Sequence, residues 1–376
     1  MSTSVNTASG ATLSGMTVGT PTLASVGAIT FGLGRVLFVA DNQSASIVAI
    51  DVGAGAPSAP PASFDVTDLD ARLAAFLGCT REQVFIRDLA VHPTTGQVYL
   101  SVMRGSGAEA LPALLTVGAD GAVAEVNLTG VPFARMELAD APVQGDERVE
   151  GRVVQGSREG SPYVVKADFS LQVAREPLRT VTITDLAFVD GILLVAGASN
   201  QEFSSTLRRI PFPFTGRAEA HALEIFHVSH AKWETASPIR TFVPYDGNAS
   251  ILASYTCTPV VHFSVEDVAA GDKITGRTVA ELGGGNTPLD MVAFTRGADE
   301  YLLVSNVRHP LMKLKKSDIR QQSPLTEPHE PTGVPRENLP QEGVSKMANL
   351  GPDRVLMLQM DAHEHYHLHA YMTDTL

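Results

Sequence analysis

The sequence predicts an all-β fold, a single β-propeller over residues 1–376, on three observations. The first is a unit that recurs six times. A short apolar run, often opened by an aspartate, turns at Gly, Asp or Thr-Gly; a second apolar run follows, then a polar cluster and a third strand-like run. Its clearest copies begin Asp88-Leu-Ala-Val-His-Pro, Asp185-Leu-Ala-Phe-Val-Asp-Gly and Asp290-Met-Val-Ala-Phe-Thr-Arg-Gly. Long repeats made of strands stack as blades around an axis. The second observation is 32 Gly and 23 Pro, which supply many tight turns. The third is a hydrophobic content of 44% against 18% charged residues, enough for a substantial core.

Each copy is read as one blade with strands A to D counted outward from the axis. Blade 1 takes Gly27 to Phe31, Val36 to Ala40 and Ser46 to Asp51 as strands A to C. Leu69, Leu73, Phe76 and Leu77 then recur at helical spacing, so Leu69 to Leu77 is expected as a short helix capped by Thr67 or Asp68. Blade 2 runs from Ile86 to Leu128, blade 3 from Thr182 to Phe226, blade 4 from Ile239 to Leu282, blade 5 from Leu289 to about Lys316, and blade 6 from Ser345 to the end. Six blades are expected, with seven as the alternative. Two segments fall outside the pattern. Residues 130–179 have a Gly/Glu/Arg-rich middle and read as an insertion or a degenerate blade. Residues 317–342 hold five prolines and read as a surface excursion.

The ends imply how the ring closes. Blade 6 shows strands A to C and then the chain stops. Strand-like residues around Thr12 to Val18 and Thr22 to Val26 precede the first blade. An N-terminal strand is therefore expected to complete the last blade and cover a sheet edge that would otherwise template aggregation. Deletion of residues 1–26 should then destabilise the whole protein.

The net charge of −13 opposes nucleic acid and anionic membrane surfaces, both of which need clustered Lys and Arg. No run of 18 apolar residues suggests a membrane span. The first 25 residues have no basic start and no apolar stretch, unlike a signal peptide. Two readings of location follow: cytoplasmic if Met1 is native, periplasmic or secreted if it replaces a removed leader. Cys79 and Cys257 are too few for a disulfide framework. No glycine-rich phosphate loop opens a helix, so no nucleotide cofactor is expected.

The Asp-Leu-Ala starts, the strand–turn–strand units and the expected circular closure resemble bacterial β-propellers of the broad YVTN, NHL and gluconolactonase-like kind. The segments Gly197-Ala-Ser-Asn-Gln-Glu-Phe, Leu207-Arg-Arg-Ile-Pro-Phe-Pro-Phe, Phe226-His-Val-Ser-His-Ala-Lys-Trp-Glu-Thr and Ser254-Tyr-Thr-Cys-Thr-Pro are similar to a propeller group to which no activity is attached. The resemblance implies architecture and leaves function to the site.

In a propeller the D-to-A and B-to-C connections share one face around the channel mouth, where a small molecule or a protein partner is expected. Asp88, Asp185 and Asp290 enter strand A in three blades. They read as a ring of carboxylates for a cation or polar ligand, or as acceptors for their own turns. The B-to-C connections add Arg104 and Arg308, which suit a carboxylate or phosphate, and Asn200. Metal candidates are Cys257, the pair His227 and His230, and His363 with His365 in the run Asp361-Ala-His-Glu-His-Tyr-His-Leu-His. Imidazole and thiolate suit copper or zinc. The run itself divides: His363 and His365 are expected in a loop, His367 and His369 in strand C. Three functions stand open. The first is a metal-binding propeller, read also as a metal-dependent enzyme at the channel mouth. The second is a non-catalytic binding scaffold. The third is a calcium-dependent lactonase-like hydrolase using Asp185, Asn200, Asp290 and Asn306.

Overall fold

Runs such as Val36–Asp41 and Ser46–Asp51 are buried at every position, so both faces of their sheet are covered. Such strands cannot lie on a one-sided sheet; they need a packed neighbour on each face, and blades stacked around an axis provide it. The computed structural model describes residues 14–376 apart from 58–60, 62, 155–163, 167–171, 215, 217, 258, 271–272 and 328–331. It is an all-β propeller of six blades with a few short helices.

Blade 1 is built from Ile29–Gly32, Val36–Asp41 and Ser46–Asp51, with Val131–Glu137 as its fourth strand and Thr17–Gly19 outside that. Blade 2 comprises Val84–Val91, Val98–Arg104, Leu111–Val117 and Val123–Glu125. Blade 3 comprises Asp185–Val189, Ile192–Ala198, Ser205–Pro211 and Glu219–His227, extended by Lys232–Glu234 and a parallel strand, Lys273–Thr275. Blade 4 comprises Thr241–Tyr245, Ser250–Ser254, Pro259–Ser264 and Arg277–Glu281, edged by Thr332–Gly333. Blade 5 takes Pro288–Arg296, Asp299–Asn306 and Leu311–Lys315. Its fourth strand, Arg336–Leu339, comes from within the segment expected as a surface excursion. Blade 6 takes Val344–Asn349, Arg354–Met360 and Tyr366–Met372. A separate three-stranded sheet, Val149–Val154, Val164–Lys166 and Gln172–Pro177, occupies the segment between blades 1 and 3.

A strand from early in the chain closes blade 6, as its missing fourth strand requires. The expectation that this strand lies within residues 12–26 is corrected. It is Asp65–Val66, paired to Tyr366–Met372, whereas Thr17–Gly19 pairs with Val131–Glu137 on blade 1; Thr12 and Leu13 lie outside the described residues. The reason lies next door. The helix Leu69–Leu77 forms as its spacing predicts, and its buried Leu69 and Leu73 enter the apolar layer between blades 6 and 2. That burial anchors the residues just before it on the edge of blade 6. Residues 24–26 have another task. The amides of Ala24 and Ser25 donate to the buried carboxylate of Asp41, at 2.9 and 3.0 Å, and Val26 packs between blades 1 and 2.

The order of blades around the axis departs from their order along the chain. The inner strands touch in the sequence 1, 3, 4, 5, 6, 2 and back to 1. Blade 2 therefore sits between blades 6 and 1, and blade 1 receives its fourth strand only after blade 2 is complete. Each of the six contacts between blades holds its own apolar cluster. Each fully buried Val, Leu, Ile or Phe in them is worth roughly 1.5–3 kcal/mol.

Candidate metal centre

At the axis, three aspartates tie neighbouring blades together. Asp88 of blade 2 accepts the N–H of Ile29 on blade 1 at 2.8 Å. Asp185 of blade 3 accepts that of Phe242 on blade 4 at 2.8 Å. Asp290 of blade 5 accepts that of Met347 on blade 6 at 2.5 Å. The bridges fall on alternate contacts of the ring, which gives the core a pseudo-threefold pattern. Asp185 and Asp290 also accept the N–H of the following residue, closing the local turn. Lys346 joins them, with Nζ 3.7 Å from Asp88 Oδ1. Burial pushes the Asp185 carboxyl up to about 6, with Asp88 adding to the effect and Lys346 opposing it. Burial likewise pushes Asp290 up to about 7 against the pull of Lys346, with Asp88 and Asp185 adding. Burial would lower the Lys346 ammonium, but Asp88, Asp290 and Asp185 outweigh it and hold it above its usual value. The aspartates thus meet at the axis on backbone amides of adjoining blades and on an internal cation.

A second constellation lies on the D-to-A and B-to-C face between blades 3 and 4. His227 ends the fourth strand of blade 3, and His230 follows in a single 3-10 turn, Val228–His230. Cys257 comes from the B-to-C connection of blade 4. One ligand atom from each of His227, His230 and Cys257 lies within 4.8 Å of the other two. Glu234 on the short strand Lys232–Glu234 orients both rings. Its Oε2 meets His227 Nδ1 at 2.9 Å and its Oε1 meets His230 Nδ1 at 2.8 Å. The ring centroids stand 4.0 Å apart. A neutral imidazole that donates from Nδ1 keeps its lone pair on Nε2. His227 is 2% exposed, and its Nε2 makes no hydrogen bond. Burial by itself would raise the Glu234 carboxyl, but the hydrogen bonds from His227 and His230 bring it down to about 2.

Cys257 is held by its backbone. It adopts φ 66°, a left-handed conformation rare outside glycine, and its N–H donates to the carbonyl of Asn286 at 2.8 Å. Burial raises the thiol, and Glu281 and Glu234 raise it further; the amides of Gly285 and Asn286 face the sulfur and oppose the rise. Fully buried Glu281, at the end of the fourth strand of blade 4, places Oε2 3.9 Å from His227 Nε2. Two carboxylates, a thiol and two imidazoles therefore share one partly buried site. Such a set is costly unless a cation offsets the negative charge.

The other sequence candidates stand apart. His363 and His365 occupy the B-to-C connection of blade 6, across the ring from blade 3, so they cannot join the first three. Their amides both donate to Asp361 Oδ1 at 2.8 Å, and His365 Nδ1 lies 3.7 Å from Asp68. His367 and His369 belong to the third strand of blade 6 and meet Asp361 and Asp65. Arg104 lines a cleft of about 370 Å³ on blade 2. Asn200 holds its neighbour Gln201 and, through its amide, Asp140. Asn306 is spent on Asn286, Val304 and Pro310, so it does not converge with Asp185 and Asp290. Glu281 and Lys346 went unread in the sequence. Glu281 ends one ordinary strand and Lys346 lies inside another, and only the ring contacts reveal their neighbours.

No protein-family model and no curated protein matches the chain. Solved structures do. The β-propeller domain of Cps50 (Swd1) from Myceliophteria thermophila is 13% identical, over 93% of this chain and 83% of that one, with a TM-score of 0.37. A chain of the mitotic checkpoint complex is 9% identical over 94% and 90%, with a TM-score of 0.37. Luciferin-regenerating enzyme is 10% identical over 94% of both chains, with a TM-score of 0.35.

Proposed function

We propose that the protein is a metal-binding β-propeller in which His227, His230 and Cys257 hold a divalent transition metal, zinc or copper. The observation that supports this most is the meeting of three ligand atoms within 4.8 Å, drawn from two blades, with His227 Nε2 buried and without a hydrogen bond. Two imidazoles and a thiolate are donors that zinc and copper accept. A carboxylate on the far nitrogen of each ring is the outer shell such ligands use to fix tautomer and orientation; Glu234 serves both rings. Three protein ligands leave a coordination position for an exogenous group, which is the arrangement of metal centres that do chemistry. The calcium-dependent lactonase-like reading has less support, because Asp185 and Asp290 already hold the amides of adjoining blades beside Lys346.

The test is elemental analysis of the untagged protein after chelator dialysis and separate re-addition of zinc, copper and calcium. Stoichiometric zinc or copper is expected. His227→Ala and Cys257→Ala should each weaken binding beyond the roughly 10–100-fold brought by an outer-shell change. A double variant at His363 and His365 should retain the metal. Calcium alone would favour the hydrolase reading, and no metal at all the non-catalytic scaffold.

A further inference from the structure

One loop serves both the centre and an arginine. The amides of Gly285 and Asn286 face the sulfur of Cys257. The Gly285 carbonyl accepts Arg308 Nη1 at 3.2 Å, and Asn286 Oδ1 accepts the Arg308 N–H at 2.8 Å. Asn286 is fully buried and also clamps Asn306. The B-to-C connection of blade 5 is thereby fixed against the loop that joins blades 4 and 5, the same loop whose Asn286 carbonyl holds the Cys257 N–H, and Arg308 comes from a rigid seat. Its side chain is exposed, and among the described residues it pairs with no carboxylate. Other arginines differ. Arg240 is committed to Glu150 at 2.9 Å, which ties the three-stranded sheet to blade 4, and Arg152 to Glu176 at 3.0 Å within that sheet. In a chain of net charge −13, a guanidinium left without an acid next to a candidate metal centre calls for an anionic partner.

We propose that this centre receives a small oxyanion, a carboxylate or phosphate group, with one oxygen in the open coordination position and another on Arg308. The proposal rests on the metal reading above. Glu234 and Glu281 would repel a free anion, so the metal's positive charge is needed to admit one, and Arg308 selects for a group with two adjacent oxygens. Arg104, exposed on blade 2, offers a similar side chain with no metal ligand set beside it among the described residues.

The test uses full-length protein loaded with cobalt(II), whose visible spectrum reports the coordination sphere. Metal content is measured first; acetate and inorganic phosphate are then titrated separately at constant ionic strength. A saturable spectral change with at least one of them is expected, and which anion binds more tightly distinguishes carboxylate from phosphate. Arg308→Gln should weaken that binding by about 10- to 100-fold, the usual effect of losing a charge-assisted hydrogen bond, with metal content and the anion-free spectrum unchanged. Arg104→Gln should leave it alone. A metal-loaded protein that responds to neither anion, or an Arg308→Gln variant with unaltered affinity, would overturn the proposal and leave the metal reading standing. Failure to take up cobalt, zinc or copper would overturn both.

Discussion

Asp290 sits where charge is hardest to keep. Its carboxyl is enclosed with Asp88 and Asp185, and one ammonium faces all three. The sign of its contribution to stability follows from linkage. The folded state holds the proton up to about pH 7, whereas an unfolded aspartate releases it near 3.8. Between those values the native state binds more protons, so stability falls as pH rises through the window. Asp185 acts in the same direction up to about 6. Asp290→Asn removes the titrating group while keeping an oxygen for one of the two backbone amides. The thermal midpoint of the native chain should therefore fall relative to that of Asp290→Asn as pH rises from 5 to 8. A relative rise across that range would refute this assignment. These aspartates were legible because they recur at one place in the repeat. Lys346 was not, because it enters from a blade that lacks the aspartate and only three-dimensional closure brings it to the axis.

At the scale of elements, the closure of blade 6 depends on more than its short strand. Asp65–Val66 contributes two paired positions, too few to hold an edge alone. Leu69 and Leu73, both 0% exposed, fill the layer between blades 6 and 2 with Leu350, Leu356, Leu358 and Leu368. Leu69→Ala and Leu73→Ala should each cost about 2–5 kcal/mol, as buried leucine truncations do. Phe76→Ala, on the 46% exposed side of the helix, should stay within about 0.5 kcal/mol. Denaturant titration checks both; equal costs at Leu73 and Phe76 would mean that the helix is not a part of the seal. Helical spacing revealed this helix in the sequence. The closing strand was hidden because two residues carry no periodicity. The fourth strands of blades 1 and 5 were hidden for a different reason: Val131–Glu137 and Arg336–Leu339 lie far along the chain from the sheets they complete.

The ring as a whole is interlocked. Blade 1 is finished by residues that follow blade 2, and blade 6 by residues that precede it, so no blade boundary divides the chain into separable halves. Strand patterns reveal how many blades there are but not this order, which depends on long-range contacts alone. The metal reading adds one further tie. His227 and His230 belong to blade 3 and Cys257 to blade 4, so an ion bound there would join two blades already linked by an apolar cluster, the Asp185 bridge and the Thr278 hydroxyl on the Phe226 carbonyl. Anything that binds only the folded state stabilises it by mass action, about 2.7 kcal/mol at a hundredfold excess over the dissociation constant. In a chain of this length that is worth a few degrees in Tm. Zinc or copper should therefore raise the melting temperature of the chelator-treated protein in a single transition, and Cys257→Ser should abolish the rise while melting close to the metal-free parent. If the ion bound but only one part of a biphasic melt shifted, the blades would be unfolding separately and the interlocked ring would not describe the molecule. If both proteins gained equally, the ion would be bound somewhere other than across blades 3 and 4.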